Sequence, residues 1–342
     1  CTGGLGPTHD DITSSVLYDY FGAKAEFDEP YWELLTKKFA ARGHIIPDVN
    51  RNQAIKPNIG EVIPNPIGSA RGLHFSNELY HLFAMPGVPA EMKSMMTNTI
   101  LPWIESRSTS KMQVAVMRTT GIMESVLYEK IEVILNDYPQ ISVAFLPRFT
   151  GVDIRLTSPD EVTINRLVDQ ISPVIQKYHF GGDGVELEEV VGRLLIENRK
   201  TIATAESCTG GLIGDRLTNV SGSSLYYKGG IVAYSNGVKE KAIGVKRETL
   251  DSVGSVSEAT ALEMAKGIRN KLNADIGLST TGIAGPKGGT KEKPVGLVYV
   301  AISYDRGEKA YRFSFTPYRK TNKLMTSQAA LNITRIHILN GL

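Results

Sequence analysis

Residues 201–211 read Thr-Ile-Ala-Thr-Ala-Glu-Ser-Cys-Thr-Gly-Gly, and this stretch decides the fold class of the C-terminal half of the chain. A short apolar run that ends in polar residues and two glycines is typical of a buried strand that turns into a helix. The segments after it alternate in the same way, with strands predicted over 230–234, 275–280 and 296–302 and helices over 209–218 and 257–272. Alternating strands and helices predict an α/β domain with a mostly parallel sheet. Ligands of such sheets bind in the loops at the carboxyl ends of the strands.

A second pattern precedes this domain and predicts a small α+β module. Its predicted elements are a strand over 113–117, a helix with Leu127 and Ile131 on one face, a hairpin across 147–151 and a helix over 158–177. The glycine-rich segment Phe180–Gly184 is the predicted linker. We therefore predict three domains, at 1–105, 106–182 and 183–342.

Composition excludes several classes of protein. Of the 342 residues, 42% are apolar and 22% are charged, which is typical of globular rather than disordered chains. The 38 Lys and Arg residues nearly balance the 36 Asp and Glu residues, so charge gives no reason to expect nucleic acid or a membrane as a partner. Two cysteines, Cys1 and Cys208, exclude a disulfide framework and favour a cytoplasmic protein.

Ser207 is the first candidate catalytic residue, because it follows a strand at the start of a helix, where free N–H groups stabilise negative charge. A serine nucleophile needs a base, and the six histidines include none between residues 180 and 336. A lysine can be that base if burial lowers its pKa. Lys239 follows the next strand and is our candidate; it could instead be a solvated helix residue, and Lys241 and Lys246 are close in sequence.

Two other interpretations of the serine segment stay open. Ser207 or Thr209 could be a helix N-cap. Cys208 could be the nucleophile, since a helix N-terminus lowers the pKa of a thiol, or simply a small buried residue.

Two more glycine-rich segments suit anionic ligands. Residues 280–290 follow a predicted strand and precede Lys293, so they could bind a phosphate or form an ordinary flexible loop. Residues 2–11 place glycines before Asp10 and Asp11, which could hold a divalent cation or cap a helix. The loop at 85–91 could complete that site.

Together these motifs resemble the CinA family (competence/damage-inducible protein A). The C-terminal half is similar to the nicotinamide-nucleotide amidohydrolase domain of that family over 204–211, 229–236, 254–258, 281–290 and 293–296. The segments at 2–11 and 85–92 resemble its molybdopterin-binding-like domain, which implies a three-layer α/β/α fold, and residues 121–125 match its middle module. Because the family has further residues before the first glycine-rich turn, we expect that this N-terminal domain is truncated.

The resemblance implies that the C-terminal domain hydrolyses nicotinamide mononucleotide to nicotinic acid mononucleotide and ammonia without a metal. Ser207 would be the nucleophile and Lys239 its base, with Tyr234 beside them. The other implied oxyanion or substrate-binding residues are Thr209, Gly210, Gly211, Asn236, Gly282, Gly285, Gly288, Gly289, Thr290, Lys293 and Arg319. The loop before Arg319 departs from the Gly-Asp-Arg of the family.

For the N-terminal domain the resemblance implies a metal-dependent ADP-ribose pyrophosphatase. The implied nucleotide-binding residues are Thr2, Gly3, Gly4, Gly6, Pro86, Gly87 and Glu91. Asp10 and Asp11 would hold Mg²⁺ or a similar divalent metal. The expected partners are these two nucleotides and a second copy of the chain in a homodimer, with no nucleic acid and no membrane. The alternative is a nucleotide-binding regulatory or competence-related protein without turnover.

Overall fold

The computed structural model describes residues 1–108 and 111–341. The chain divides into two compact units, Cys1–Lys111 and Met112–Leu342. Within the described residues, no helix has the length and apolar character needed to cross a membrane.

The first unit contains short strands and helices. Its elements are α1 (Thr13–Phe21), β1 (Ala25–Phe27), α2 (Glu29–Ala40), a 3₁₀ helix (Asp48–Ala54), β2 (Ile55–Pro57), β3 (Glu61–Ile63), β4 (Gly72–Ser76), β5 (His81–Ala84), α3 (Pro89–Met95), a π-helical turn (Met96–Ile100) and α4 (Leu101–Glu105). β3, β4 and β5 form an antiparallel sheet, and β1 pairs with β2. Its core packs Leu17 and Leu73 around Phe75, whose ring stacks on Phe21 with centroids 4.7 Å apart.

The second unit begins with the predicted α+β module, here called the middle module. Its elements are β6 (Gln113–Thr119), α5 (Glu124–Asn136), β7 (Ser142–Arg148), β8 (Gly151–Ser158), α6 (Glu161–Ile175) and β9 (His179–Gly181). The strands form one antiparallel sheet in the order β7-β8-β6-β9. Leu127 and Ile131 are buried on one face of α5, so the predicted helix face and hairpin are confirmed.

The linker prediction is wrong for Phe180 and Gly181. Both belong to β9, where Gly181 pairs with Arg118 of β6. The Phe180 ring is buried in the same core as Leu187 and Val191, because an aromatic side chain is far more stable there than in water. The glycines of this segment therefore belong to the end of β9 and the turn that follows it, and do not form a flexible linker.

The C-terminal domain supplies the remaining elements of the second unit. They are α7 (Leu187–Glu197), β10 (Ile202–Glu206), α8 (Leu212–Thr218), a 3₁₀ turn (Ser223–Leu225), β11 (Tyr227–Val232), α9 (Asn236–Ile243), α10 (Arg247–Ser252), α11 (Glu258–Lys271), β12 (Ile276–Gly282), β13 (Leu297–Tyr304), β14 (Gly307–Ser314) and α12 (Arg319–Leu339).

The five strands of this domain form one sheet in the order β11-β10-β12-β13-β14. The α/β class is confirmed, and four of the five strands run in one direction, as a mostly parallel sheet requires, with β13 reversed. β10 is parallel to both of its neighbours, whereas β13 is antiparallel to β12 and β14. A short turn joins β13 to β14, and a parallel pair would need a crossover of a dozen residues or more.

The register of the parallel strands places three loops at one edge of the sheet. Glu206, the last residue of β10, lies opposite Val232 on one side and Thr280 on the other. The residues that follow β10 and β11 therefore emerge side by side. Close packing of α11 fixes β12 in this position, since a Cβ atom on Gly277 would lie 2.0 Å from the carbonyl oxygen of Ala265.

Helix α12 connects the C-terminal domain to the middle module. The Gln328 amide donates to the Thr120 hydroxyl at 3.2 Å, and the Arg335 guanidinium donates to the His179 carbonyl at 3.0 Å. Both α12 side chains are buried, and both partners belong to or adjoin the middle-module sheet.

Candidate active site

Ser207 and Lys239 meet at the edge of the sheet where β10 and β11 end. Ser207 is the first residue after β10, and its N–H donates to the Thr280 carbonyl at 2.9 Å. Its side-chain oxygen lies 3.0 Å from Nζ of Lys239, which projects from α9 after β11. Ser207 is only 8% exposed. The structure thus brings together the two side chains that the sequence placed in neighbouring strand-end loops.

Lys239 is 1% exposed. Besides Ser207, its ammonium nitrogen contacts the carbonyl oxygens of Ala233 at 2.7 Å and Tyr234 at 3.2 Å. Among the residues that the structure describes, no carboxylate lies within 4.0 Å of it. Burial disfavours the charged form and lowers the pKa of Lys239.

The two carbonyl contacts orient the lysine nitrogen. A neutral amine has two N–H bonds and one lone pair. When the two N–H groups donate to Ala233 and Tyr234, the lone pair is left for the proton of the Ser207 hydroxyl. This is the arrangement that a serine nucleophile needs from its base.

Glu206 holds the turn that carries Ser207, and our sequence reasoning missed it. Its carboxylate is buried and accepts the N–H groups of Gly211 at 3.0 Å, Ile213 at 3.1 Å and Gly214 at 2.8 Å. The first turn of a helix has N–H groups without partners inside the helix, so Glu206 caps α8 from the preceding strand. The only sequence signal was an acidic residue at the end of an apolar strand.

These contacts correct part of the predicted oxyanion site. The Gly211 N–H is bound by Glu206, and the Gly210 N–H donates to the Ser207 carbonyl at 3.2 Å, so neither is open to a substrate. In the described chain the N–H groups of Cys208 and Thr209 donate no hydrogen bond to another residue. Gly211 itself is the N-cap residue, with φ of 95°, so neither Ser207 nor Thr209 caps the helix.

The rival nucleophile Cys208 lies in an unfavourable environment for a thiolate. Burial raises its pKa to about 12, and the charge of Glu206 acts in the same direction. The helix N-terminus does not offset this effect, because Glu206 already occupies its N–H groups.

A cavity of about 150 Å³ opens beside the Ser207 hydroxyl. Of the predicted site residues it is lined by Ser207, Lys239, Tyr234, Gly282 and Arg319. Two further lining residues, Ser255 and Val256, were not predicted to be in the site, although they belong to a motif that carried the family resemblance. The Thr281 hydroxyl donates to the Ser255 carbonyl oxygen and fixes that segment.

Arg319 joins Tyr234, which lines this cavity, to Gly285, which directly follows the lining residue Ala284. Its guanidinium donates to the Tyr234 hydroxyl at 2.9 Å and to the Gly285 carbonyl at 3.1 Å. The Tyr234 side chain is 60% exposed, so it lies at the mouth of the cavity.

Of the predicted phosphate loop, Gly282 and Ala284 line the cavity, whereas the glycines farther along it and Lys293 do not. Lys293 donates from its ammonium to the Val253 carbonyl at 2.6 Å, which ties the loop to the chain before α11. The predicted residues that do not line the cavity are Thr209, Gly210, Gly211, Asn236, Gly285, Gly288, Gly289, Thr290 and Lys293. The sequence did not reveal this arrangement, because a loop of this length can fold toward the site or away from it.

The two predicted loops of the N-terminal unit lie side by side. Thr2 forms a β-bridge with Met85, and a Cβ atom on Gly87 would lie 3.4 Å from Cα of Gly3. Gly4 must be small, since a Cβ atom there would lie 2.2 Å from the Thr13 hydroxyl oxygen.

Asp11, one of the two predicted metal ligands, is held by Thr8. Asp11 accepts the Thr8 N–H at 3.0 Å and the Thr8 hydroxyl at 2.6 Å, and the hydroxyl contact holds the pKa of Asp11 below its usual value. It does not cap α1. Glu91 accepts the Asn65 amide at 2.7 Å. The described residues contain no group of three or more His, Cys, Asp or Glu side chains that could hold a metal ion.

Comparisons with known proteins extend over nearly the whole chain. Residues 1–106 match a family model described as a probable molybdopterin binding domain. Residues 115–181 match the damage-inducible protein CinA KH domain, and residues 185–338 match the CinA C-terminal domain.

Individual relatives agree with these models. A CinA-like protein from Chloroherpeton thalassium is 43% identical over 99% of this chain and 84% of its own length. A putative competence-damage inducible protein from Halothermothrix orenii is 39% identical over 96% of this chain and 81% of its own length. The solved structure of competence/damage inducible protein CihA from Agrobacterium tumefaciens is 38% identical and covers 45% of this chain and 97% of its own, with a TM-score of 0.43.

We expect Glu206→Gln to lower the free energy of unfolding by about 1–3 kcal/mol. The amide keeps the size of the carboxylate but turns an NH₂ group toward N–H donors of α8. Urea denaturation measures the effect. The control is Glu197→Gln, at an exposed position of α7, which should stay within about 0.5 kcal/mol of the parent. Equal unfolding midpoints for the two variants would contradict the capping role of Glu206.

Proposed function

This chain belongs to the CinA family, and we propose that its C-terminal domain hydrolyses the carboxamide of nicotinamide mononucleotide to nicotinic acid mononucleotide and ammonia. The observation that carries the proposal is the 3.0 Å contact between the Ser207 hydroxyl and the buried Lys239 amine. A serine beside a lysine without a counter-ion is suited to nucleophilic attack on an amide carbon. The family resemblance supplies the substrate.

In the first step, neutral Lys239 takes the proton of Ser207 while the serine oxygen attacks the carboxamide carbon. The carbonyl oxygen of the substrate becomes an oxyanion, for which the N–H groups of Cys208 and Thr209 are the available donors on the same turn. Each well-placed donor of this kind contributes about 10²–10³ in rate.

In the second step, the carbon–nitrogen bond breaks. Lys239 returns the proton to the leaving nitrogen, and ammonia departs. The Tyr234 hydroxyl, held by Arg319, is a second group that can supply this proton. Water then attacks the ester on Ser207 while Lys239 accepts a proton from it. The bond between the carbon and the serine oxygen breaks, Lys239 returns the proton to Ser207, and the acid product leaves. The reaction as proposed uses no metal.

We expect Ser207→Ala to lower ammonia release from nicotinamide mononucleotide by at least about 10³-fold, measured with EDTA present. Cys208→Ala is the matched control at the neighbouring position and should keep most of the parent rate, because its buried thiol is protonated near neutral pH. Release that survives in the serine variant would contradict the assigned nucleophile.

A folded parent that binds the mononucleotide without releasing ammonia would contradict the hydrolysis. That outcome would favour the second candidate, a nucleotide-binding regulatory protein. The contact between Ser207 and Lys239 is the observation that ranks hydrolysis above it.

We expect kcat/KM for ammonia release to rise with pH between about pH 5 and about pH 9, since acid protonates Lys239 and removes the lone pair that activates Ser207. The rise should be centred below the ordinary lysine pKa of 10.5. Lys239→Met should abolish activity, whereas Lys241→Met, at an exposed position of the same helix, should keep it. A flat pH profile for the parent would count against a lysine base.

The same lysine variant should not destabilise the fold. The lowered pKa of Lys239 means that the unfolded chain binds this proton more readily than the folded chain, so burial of Lys239 costs stability and the cost grows as pH falls. Lys239→Met removes that cost, and its thermal unfolding midpoint should equal or exceed that of the parent.

For the N-terminal unit we propose the metal-dependent cleavage of ADP-ribose that the resemblance implies. The supporting observation is the approach of Gly3 and Gly87, which brings the two predicted nucleotide loops together. The described side chains do not form a metal cluster, so the diphosphate of the substrate would supply most of the Mg²⁺ ligands. Asp11 is bound by Thr8, whereas no hydrogen bond or ion pair within the described residues engages the Asp10 carboxylate.

We expect EDTA to abolish AMP release from ADP-ribose and to leave ammonia release from nicotinamide mononucleotide intact, because only the first reaction is proposed to use a metal. Asp10→Asn should lower AMP release, with Asp19→Asn on α1 as the control. AMP release that resists EDTA would overturn the metal requirement.

A further inference from the structure

The predicted basic residues of the Ser207 site are already bound to protein atoms. Lys293 donates to the carbonyl of Val253 outside the cavity. Arg319 uses its guanidinium to join Tyr234 to Gly285. In both cases the basic group is already hydrogen-bonded within the protein and is not free to bind a substrate.

Lys323 differs from both residues. It lies on α12 four residues after Arg319, so the two side chains share one face of the helix. Its side chain is half-buried. Across residues 1–108 and 111–341, no hydrogen bond or ion pair engages its ammonium group. A cation that is partly removed from water and has no anionic partner favours the binding of an anion.

The Lys323 ammonium lies against Gly210, which belongs to the same turn as the nucleophile Ser207. A Cβ atom on Gly210 would lie 3.3 Å from Nζ of Lys323, so the ammonium rests against the backbone of this residue. The Gly210 N–H donates to the Ser207 carbonyl at 3.2 Å, which closes a single tight turn between the two residues. Lys323 therefore reaches the Ser207 turn from α12, whereas Lys239 reaches it from α9.

The cavity is too small to enclose a whole mononucleotide, so the two ends of such a substrate would lie in different places. Its volume of about 150 Å³ is smaller than that of most sites for whole small molecules, which enclose roughly 300–1,000 Å³. It can take a carboxamide and part of its ring, but the rest of a mononucleotide must lie outside. Gly210 is exposed, so the surface beside Lys323 is open to that outer part.

We infer that Lys323 is a specificity-determining residue that binds the phosphate group of the substrate and makes the site select phosphorylated nucleosides over unphosphorylated ones. The inference rests on the proposed function for the carboxamide end and adds the recognition of the other end. An ammonium group is a point charge that suits a phosphate monoester.

The test compares two ligands that differ only in the phosphate, nicotinamide mononucleotide and nicotinamide riboside. Their dissociation constants are measured by calorimetry in the full chain carrying Ser207→Ala, so that turnover does not interfere. Adding Lys323→Gln should weaken mononucleotide binding by about tenfold or more and leave riboside binding unchanged. Lys320→Gln, at an exposed position of the same helix, is the matched control and should change neither.

Kinetics on chains that retain Ser207 provide a second readout. Lys323→Gln should raise KM for the mononucleotide by about tenfold and keep kcat within about twofold, since the phosphate is remote from the reacting bond. Lys323→Arg keeps the charge and should restore much of the preference, which separates a charge effect from damage to the fold.

Two results would overturn the inference: equal weakening of both ligands by Lys323→Gln, or mononucleotide binding that this change leaves untouched. Failure of the proposed function looks different. A parent that binds the mononucleotide through its phosphate but releases no ammonia would contradict the hydrolysis and still support the role of Lys323.

Discussion

The burial of Lys239 without a counter-ion is the constraint on which the rest of the site depends. An ammonium group in this position is costly unless it loses its proton or finds acceptors. The fold provides two backbone carbonyls and one hydroxyl, and all three come from loops at one edge of the sheet. Parallel pairing of β10 with β11 places those loops side by side, so the reactivity of Ser207 follows from strand register.

If a buried carboxylate formed an ion pair with this lysine, the lysine would stay protonated and could not act as a base. Glu206 directly precedes Ser207, yet its two oxygens accept three N–H groups from the start of α8. The negative charge is thus satisfied by backbone dipoles, and it does not hold a proton on Lys239. Burial keeps the neighbouring Cys208 thiol protonated, and the charge of Glu206 adds to that effect. Glu206 therefore fixes the turn that carries Ser207 without forming an ion pair with its base.

The sequence predicted the elements that local pattern controls. The strand before Ser207, the face of α5 and the hairpin of the middle module follow from periodicity and turn residues. The absence of nearby histidine and the rule that such loops meet pointed to a lysine base for Ser207, and the family resemblance selected Lys239 over Lys241 and Lys246. Lys293 and Glu206 were misplaced or missed because the direction of a loop and the partner of a buried charge depend on distant atoms. Lys323 lies more than a hundred residues from Gly210, and no spacing rule relates the two.

Helix α12 has a mechanical consequence. Its 21 residues form a continuous rod of about 32 Å, with Arg319 and Lys323 in its first two turns and Gln328 and Arg335 bonded to the middle module farther along. A rod of this stiffness does not bend to accommodate a small displacement at one end. A tilt of the middle module against the C-terminal sheet would therefore be transmitted along α12 to Arg319 in the wall of the Ser207 cavity.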